Sequence, residues 1–205
     1  MFIVLEGLDG AGTTTQCDLL ASALRAEGQQ VVTTREPSDG PLGTLLRQVL
    51  RGRIHLPDGA PVTAETIALW FAADRLDHIA ATVEPTLSQG GIVISDRYVH
   101  SSLAYQSVEC GLDWVNSING RARLADVTVF VDVPASICRQ RIQARGLAVE
   151  RFEQEGYLER VEAIWQEALA ARPAGVVRVD GTKDVQAVHL AILHAVNEAR
   201  SRSSV

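Results

Sequence analysis

Eight residues, Gly7-Leu8-Asp9-Gly10-Ala11-Gly12-Thr13-Thr14, limit what this chain can become more than any other stretch. An apolar run, Phe2-Ile3-Val4-Leu5, precedes them, and Leu19, Leu20, Ala23 and Leu24 follow at helical spacing. The order strand, glycine-rich turn, helix lets backbone N–H groups close around an anion, with the partial positive charge of the helix N-terminus behind them. The stretch fits the phosphate-loop pattern Gly-x4-Gly-Lys-Ser/Thr with one exchange: Thr13 stands at the lysine position. That lysine ordinarily reaches the β- and γ-phosphates, so the same residues announce nucleotide binding and withhold one of its cations. Gly7, Leu8, Asp9, Gly10, Ala11, Gly12, Thr13, Thr14 and Thr15 are the candidate contacts to a donor nucleotide. The hydroxyl that ligates magnesium falls to Thr14.

Apolar runs and helical patterns alternate over the rest of the chain. Strands are expected at 2–5, 31–34, 92–95, 127–133 and 176–179, and helices at 42–51, 63–87, 136–144, 152–171 and 184–199. Pro85 is expected to bend the end of the second of these helices, and Pro134 to open the third. Helical stretches also fill the span from the third strand to about Leu124. Short, nearly all-apolar strands between helices imply an α/β fold, a five-stranded parallel sheet with helices on both faces. Ligands of such sheets lie beyond the carboxyl ends of the strands. There the chain carries Glu6-Gly7, Arg35-Glu36-Pro37, Asp96-Arg97-Tyr98, Asp132 and Asp180-Gly181.

A chain of 205 residues suits one domain, expected over 1–200 with an unstructured Ser/Arg tail at 201–205. The net charge of −6 argues against nucleic acid as a partner. No apolar run is long enough to span a bilayer, and the first is too short for a signal peptide, so a cytoplasmic protein is expected. Cys17, Cys110 and Cys138 show no metal or redox spacing. Of 19 basic residues all but Lys183 are arginine, which leaves no lysine close in sequence to take the place vacated at Thr13.

The strand-end motifs carry chemistry. Asp96 can hold a magnesium water shell, and Arg97 can reach a phosphate between two substrates. Arg35 can fork onto a second phosphate, beside Glu36. Phe71 and Arg75, four apart on a helix, can stack on a flat heterocycle and hydrogen-bond its carbonyl. Ser101, Ser102, Tyr105 and Gln106 follow on a helix that faces the same cleft. Arg139, Arg141, Arg145 and Arg151 mark 141–152 as a lid that brings arginines over transferring phosphate.

In order and spacing, Leu5-Glu6-Gly7-x-Asp9-Gly10, Thr34-Arg35-Glu36-Pro37, Phe71-Ala72-Ala73-Asp74-Arg75, Asp96-Arg97-Tyr98 and Ser101-Ser102-x-x-Tyr105-Gln106 resemble the thymidylate kinase family over 2–199. The resemblance implies a P-loop nucleoside monophosphate kinase fold, Mg2+ and ATP, dTMP as acceptor, a homodimer, and a place in dTTP synthesis. It implies that Asp9 organises magnesium and the acceptor phosphate, that Phe71 stacks on thymine and Arg75 binds its carbonyl, and that Arg97, with Arg35, serves the phosphates. Tyr105 would sit by the deoxyribose. A loop without arginine at Gly10-Ala11 is similar to the bacterial subtype whose lid supplies them, here Arg141, Arg145 and Arg151. The chain departs from the family pattern at Thr13, at Ser38-Asp39-Gly40 where Gly-Gly-Thr is usual, and at Ser107 in place of glycine. Two other readings stay open: a nucleotide-binding protein that senses or scaffolds, which Thr13 favours, and a kinase of another deoxynucleotide or a deoxynucleoside.

Overall fold

The five apolar runs form one parallel sheet: β1 (Phe2–Glu6), β2 (Val31–Arg35), β3 (Ile92–Asp96), β4 (Val127–Asp132) and β5 (Val176–Asp180), in the order β2-β3-β1-β4-β5. The computed structural model describes residues 1–144 and 156–203. β1 is central, pairing with β3 (Leu5 opposite Asp96) and with β4 (Leu5 opposite Val129). All five of its residues are buried, because alternate side chains enter different layers. Ile3 and Leu5 join a large core with Leu20, Leu24, Trp165 and Ile192, whereas Phe2 and Val4 pack with Val83, Val93, Tyr98 and Val99. Burying a side chain such as Leu24 contributes about 1.5–3 kcal/mol.

The helices are α1 (Thr13–Ala26), α2 (Pro41–Leu50), α3 (Ala64–His78), α4 (Glu84–Ser88), α5 (Val99–Tyr105), α6 (Ser107–Cys110), α7 (Leu112–Ile118), α8 (Ala135–Ala144), α9 (Tyr157–Ala171) and α10 (Val185–Ser203). The helix expected over 63–87 is broken into α3, a π turn over Ile79–Val83, and α4. Pro85 lacks an N–H and its ring crowds the carbonyl four residues back; widening the preceding turn relieves that crowding. Pro134 lies one residue before α8 rather than inside it, and its carbonyl accepts the first helical bonds, from Ile137 and Cys138. The helix expected from Phe152 is described only from Tyr157 onward. α10 continues to Ser203, past the end set by the sequence reading and into the expected tail.

A third, smaller core (Leu46, Val49, Leu50, Val62, Ile67, Phe71) joins α2 to α3. This pair of helices stands over the carboxyl end of the sheet and walls one side of the site.

Candidate active site

The loop after β1 holds its shape through backbone geometry. Gly10 and Gly12 have φ of 90° and 95°, which L side chains rarely adopt. A Cβ on Gly10 would lie 2.6 Å from the Cys138 carbonyl oxygen, so the loop rests directly on α8. Gly12 offers α1 no side-chain cap, and the first turn carries no acidic residue. The N–H groups at the start of α1 are therefore left for an anionic ligand. Thr13 is buried, and its methyl lies where it would be 3.3 Å from a Cβ on Gly7. Its side chain packs under the loop instead of reaching out over it.

Arg97 joins this loop to the rest of the site. Its Nη1 donates to the Gly7 carbonyl (2.7 Å) and to Ser101 Oγ (2.9 Å), and its Nη2 to Asp9 Oδ1 (2.7 Å). The guanidinium lies 5.3 Å from the Tyr105 ring centroid. Burial disfavours its charge, but Tyr105, Asp9, Asp96 and Glu6 outweigh that and raise its pKa above the ordinary arginine value. Among the described residues Arg97 is the only non-glycine with positive φ, 71°. That conformation costs about 1–2 kcal/mol, and it is held where the side chain spans loop and cleft. Glu6, fully buried, anchors the same corner by accepting from Tyr98 N (2.9 Å), Ser101 N (3.1 Å) and Ser101 Oγ (2.5 Å).

At the end of β3, Thr14 Oγ1 donates to Asp96 Oδ2 (2.5 Å), while Asp96 Oδ1 is buried with no partner. Tyr105 accepts at its hydroxyl from the Asp9 N–H (2.8 Å). Burial, and Asp9 after it, push the Tyr105 phenol well above its usual pKa, so it stays protonated.

A cleft opens beside this corner, walled by Phe71, Leu50, Pro37, Tyr105 and Gln106, with Arg75, Glu36, Asp9 and Arg97 at its polar side. Arg75 is almost wholly buried. Its Nε donates to Glu36 Oε2 (2.8 Å), Nη1 to Asn119 Oδ1, and Nη2 to Ser102 Oγ (2.9 Å) and the Tyr98 carbonyl (3.2 Å). His78 holds the other Glu36 oxygen (Nδ1 to Oε1, 3.1 Å) and meets Thr34 Oγ1 through Nε2 (2.7 Å). A glycine-rich loop with free N–H groups at the start of α1, a fixed guanidinium and a largely apolar cleft lie side by side, an arrangement that suits transfer between two phosphorylated ligands.

The family model described as thymidylate kinase matches residues 5–192. The chain belongs to this family. Among similar proteins, "Thymidylate kinase" of Thermomicrobium roseum is 38% identical over 209 residues, covering 98% of this chain and 96% of that protein. "Probable thymidylate kinase" of Thermococcus kodakarensis is 37% identical over 204 residues, covering 94% and 95%.

Within this thymidylate kinase family member most of the residues singled out in the sequence meet at one edge of the sheet. Asp9, Glu36, Phe71, Arg75, Arg97, Ser101, Ser102, Tyr105 and Gln106 all line the cleft, and Thr14 meets Asp96. The hydroxyls of Ser101 and Ser102 are engaged by Glu6 and Arg75, so they position those groups. Arg35 is outside the cleft lining: it is exposed and paired to Asp39 Oδ1 (2.8 Å). Asp39 is one of the family departures noted above. The Arg35 hydrogen bond comes first among the causes that lower the pKa of Asp39. Arg141 approaches the loop from α8, with Nη1 3.3 Å from the Ala11 carbonyl and Nη2 3.2 Å from that of Gly181. Arg145 and Arg151 lie outside the described residues.

Four contributors were missed as site residues. Glu6 stood in the sequence as an acid ending an apolar strand, a signal that was available. Asn119 and His78 carried no local signal. Lys183, set aside because no lysine lies close to the loop in sequence, lines a cavity with Gly10, Ala11 and Gly12.

Proposed function

We propose that this chain transfers the γ-phosphoryl group of ATP to dTMP, giving dTDP and ADP, within dTTP synthesis in the cytoplasm. The observation that carries the reading is Arg97, fixed between the phosphate loop at Gly7 and Asp9 and the cleft at Ser101. Family membership and the named relatives support the same assignment. An oxygen of the dTMP phosphate attacks the γ-phosphorus, and the bond to the ADP oxygen breaks in line. The N–H groups of Gly10, Gly12, Thr13, Thr14 and Thr15 hold the donor phosphates, while that of Ala11 closes the loop on the Leu8 carbonyl (2.9 Å), and Arg97 spans donor and acceptor. Phe71 stacks on the base, Arg75 reads its carbonyl, and Tyr105 lies by the sugar. The lid arginines Arg145 and Arg151, of the bacterial subtype, close over the phosphates, with Arg141 at the lid's base.

The Thr14 hydroxyl and the unpartnered Asp96 Oδ1 fit a hydrated Mg2+. When bound, the ion would neutralise the charge of the donor phosphates. With no side chain satisfying Oδ1, Asp96→Asn is expected to lower kcat and raise the magnesium concentration needed for half-maximal rate. An unchanged magnesium dependence would remove Asp96 from that role.

The test of the activity is a coupled assay of ADP formation with a panel of nucleoside monophosphates. dTMP should be preferred, and dUMP, lacking the methyl group, should be worse by roughly 10–200-fold. Equal use of AMP or CMP would refute the reading; ATP binding with no turnover of any monophosphate would favour the sensing alternative.

The homodimer is proposed through α3. Leu69 and Leu76 are 48% and 45% exposed on it, and the exposed Ala73 and Ala80 continue the same stripe. Sedimentation should give twice the 22.1 kDa chain mass. Leu76→Glu should give the monomer, and a dimer that persists in this variant would place the interface elsewhere.

A further inference from the structure

The hydroxyl of Tyr157, the first residue of α9, donates to the main-chain carbonyl of Tyr105 (2.8 Å), 52 residues earlier in the sequence. That carbonyl lies at a helix break. α5 ends at Tyr105, the Glu109 and Cys110 N–H groups both turn to the Gln106 carbonyl (3.3 and 3.0 Å), and α6 begins at Ser107. Carbonyls of a last helical turn call for partners from outside the helix, and the Tyr157 hydroxyl is one for Tyr105.

The helix that carries this hydroxyl is fixed from two sides. In its first turn Arg160 Nη2 donates to the Val108 carbonyl of α6 (3.3 Å), and the guanidinium lies 5.8 Å from the Tyr157 ring centroid. Towards α8, Glu162 Oε1 accepts from the Ala135 N–H (3.1 Å) and Glu159 pairs with Arg139 (2.5 Å). Leu158, Val161 and Trp165 of α9 are buried in the large core, where the Trp165 ring meets Tyr105 edge-on, centroids 6.5 Å apart. Tyr105 is thus held at its backbone by α9 and at the far end of its side chain by the phosphate loop, whose Asp9 N–H donates to the phenol oxygen (2.8 Å). Asp9 Oδ1 in turn holds Arg97 (2.7 Å).

We propose that Tyr157 is a positioning residue for the transfer: by fixing the Tyr105 carbonyl it sets where the Tyr105 hydroxyl meets Asp9, and so where Asp9 and Arg97 stand. It touches neither ligand in this reading and acts through Tyr105. Phenylalanine at this position keeps the ring and its packing and loses the one hydroxyl. The effect falls on the transition state, because Arg97 acts on charge that develops during transfer and small displacements cost more there than in bound substrate. This deepens the phosphoryl-transfer reading above and rests on it.

The test uses the full chain with Tyr157→Phe, in two measurements. Amide hydrogen exchange followed by NMR should show the Asp9 N–H exchanging about fivefold faster or more. The Ala11 N–H, bonded to the Leu8 carbonyl within the same loop (2.9 Å), should be unchanged. In steady-state assays with whichever monophosphate of the panel turns over, kcat should fall by about tenfold, with KM for that acceptor within about twofold of wild type. The same substitution in a Tyr105→Phe background, where the link to Asp9 is already cut, should lower kcat further by less than about twofold. Unchanged Asp9 exchange or unchanged kcat in Tyr157→Phe overturns the proposal. So does a kcat loss of equal size in both backgrounds, which would make Tyr157 a support of α9 alone. Because the exchange measurement needs no substrate, it decides on Tyr157 even if dTMP proves not to be the acceptor.

Discussion

Arg97→Ala is expected to lower kcat by about 10²–10³-fold while leaving KM for dTMP within a few-fold. The guanidinium is already held by Gly7, Asp9 and Ser101, so it need not reorganise as charge builds up on the transferring phosphoryl group. A group of that kind acts on the transition state more than on bound substrate. The backbone gives an internal control. Position 97 has φ of 71°, so alanine retains the strain that arginine bears, whereas glycine relieves it. Arg97→Gly should therefore be as inactive as Arg97→Ala yet more stable than it by about 1–2 kcal/mol. Kinetics and thermal melts on the two variants separate chemistry from folding. Near-normal kcat with a raised KM in either would contradict the bridging role.

The strands were legible because each central parallel strand is buried on both faces and so reads as an unbroken apolar run. All five expected ranges lie within one residue of the observed ends. β1 pairs with β3, which sets the Gly7 loop beside Asp96. The π turn at 79–83 was not legible, since the apolar spacing runs through it and only Pro85 hints at a disturbance. Arg35 shows another limit. A strand-end arginine looks like a phosphate ligand, but an aspartate four residues later holds it in solvent. Lys183 shows the converse. It follows the loop by some 170 residues and meets it only because β5 pairs with β4 and β4 with β1. Such closeness is a property of strand order, which local periodicity does not encode.

Glu36→Ala is expected to cost about 3–5 kcal/mol of stability, a large part of the 5–15 kcal/mol typical of a folded domain. Glu36 and Arg75 are 2% and 1% exposed at their side chains, and the carboxylate takes Arg75 through Oε2 and His78 through Oε1. Without it a buried guanidinium keeps only neutral acceptors, Asn119, Ser102 and the Tyr98 carbonyl. At roughly 2–4 °C per kcal/mol for a chain of this size, the melting temperature should fall by about 6–20 °C. The double variant Glu36→Ala/Arg75→Met should recover part of the loss, because removing both charges leaves no unpaired ion in the core. A melting temperature within a few degrees of wild type for Glu36→Ala, or a double variant that loses the sum of the two single losses, would show that the pair does not act as a unit. The arrangement also ties stability to recognition. Under the proposed reading, in which Arg75 reads the base, Glu36→Ala should also weaken dTMP binding at temperatures where the variant is fully folded.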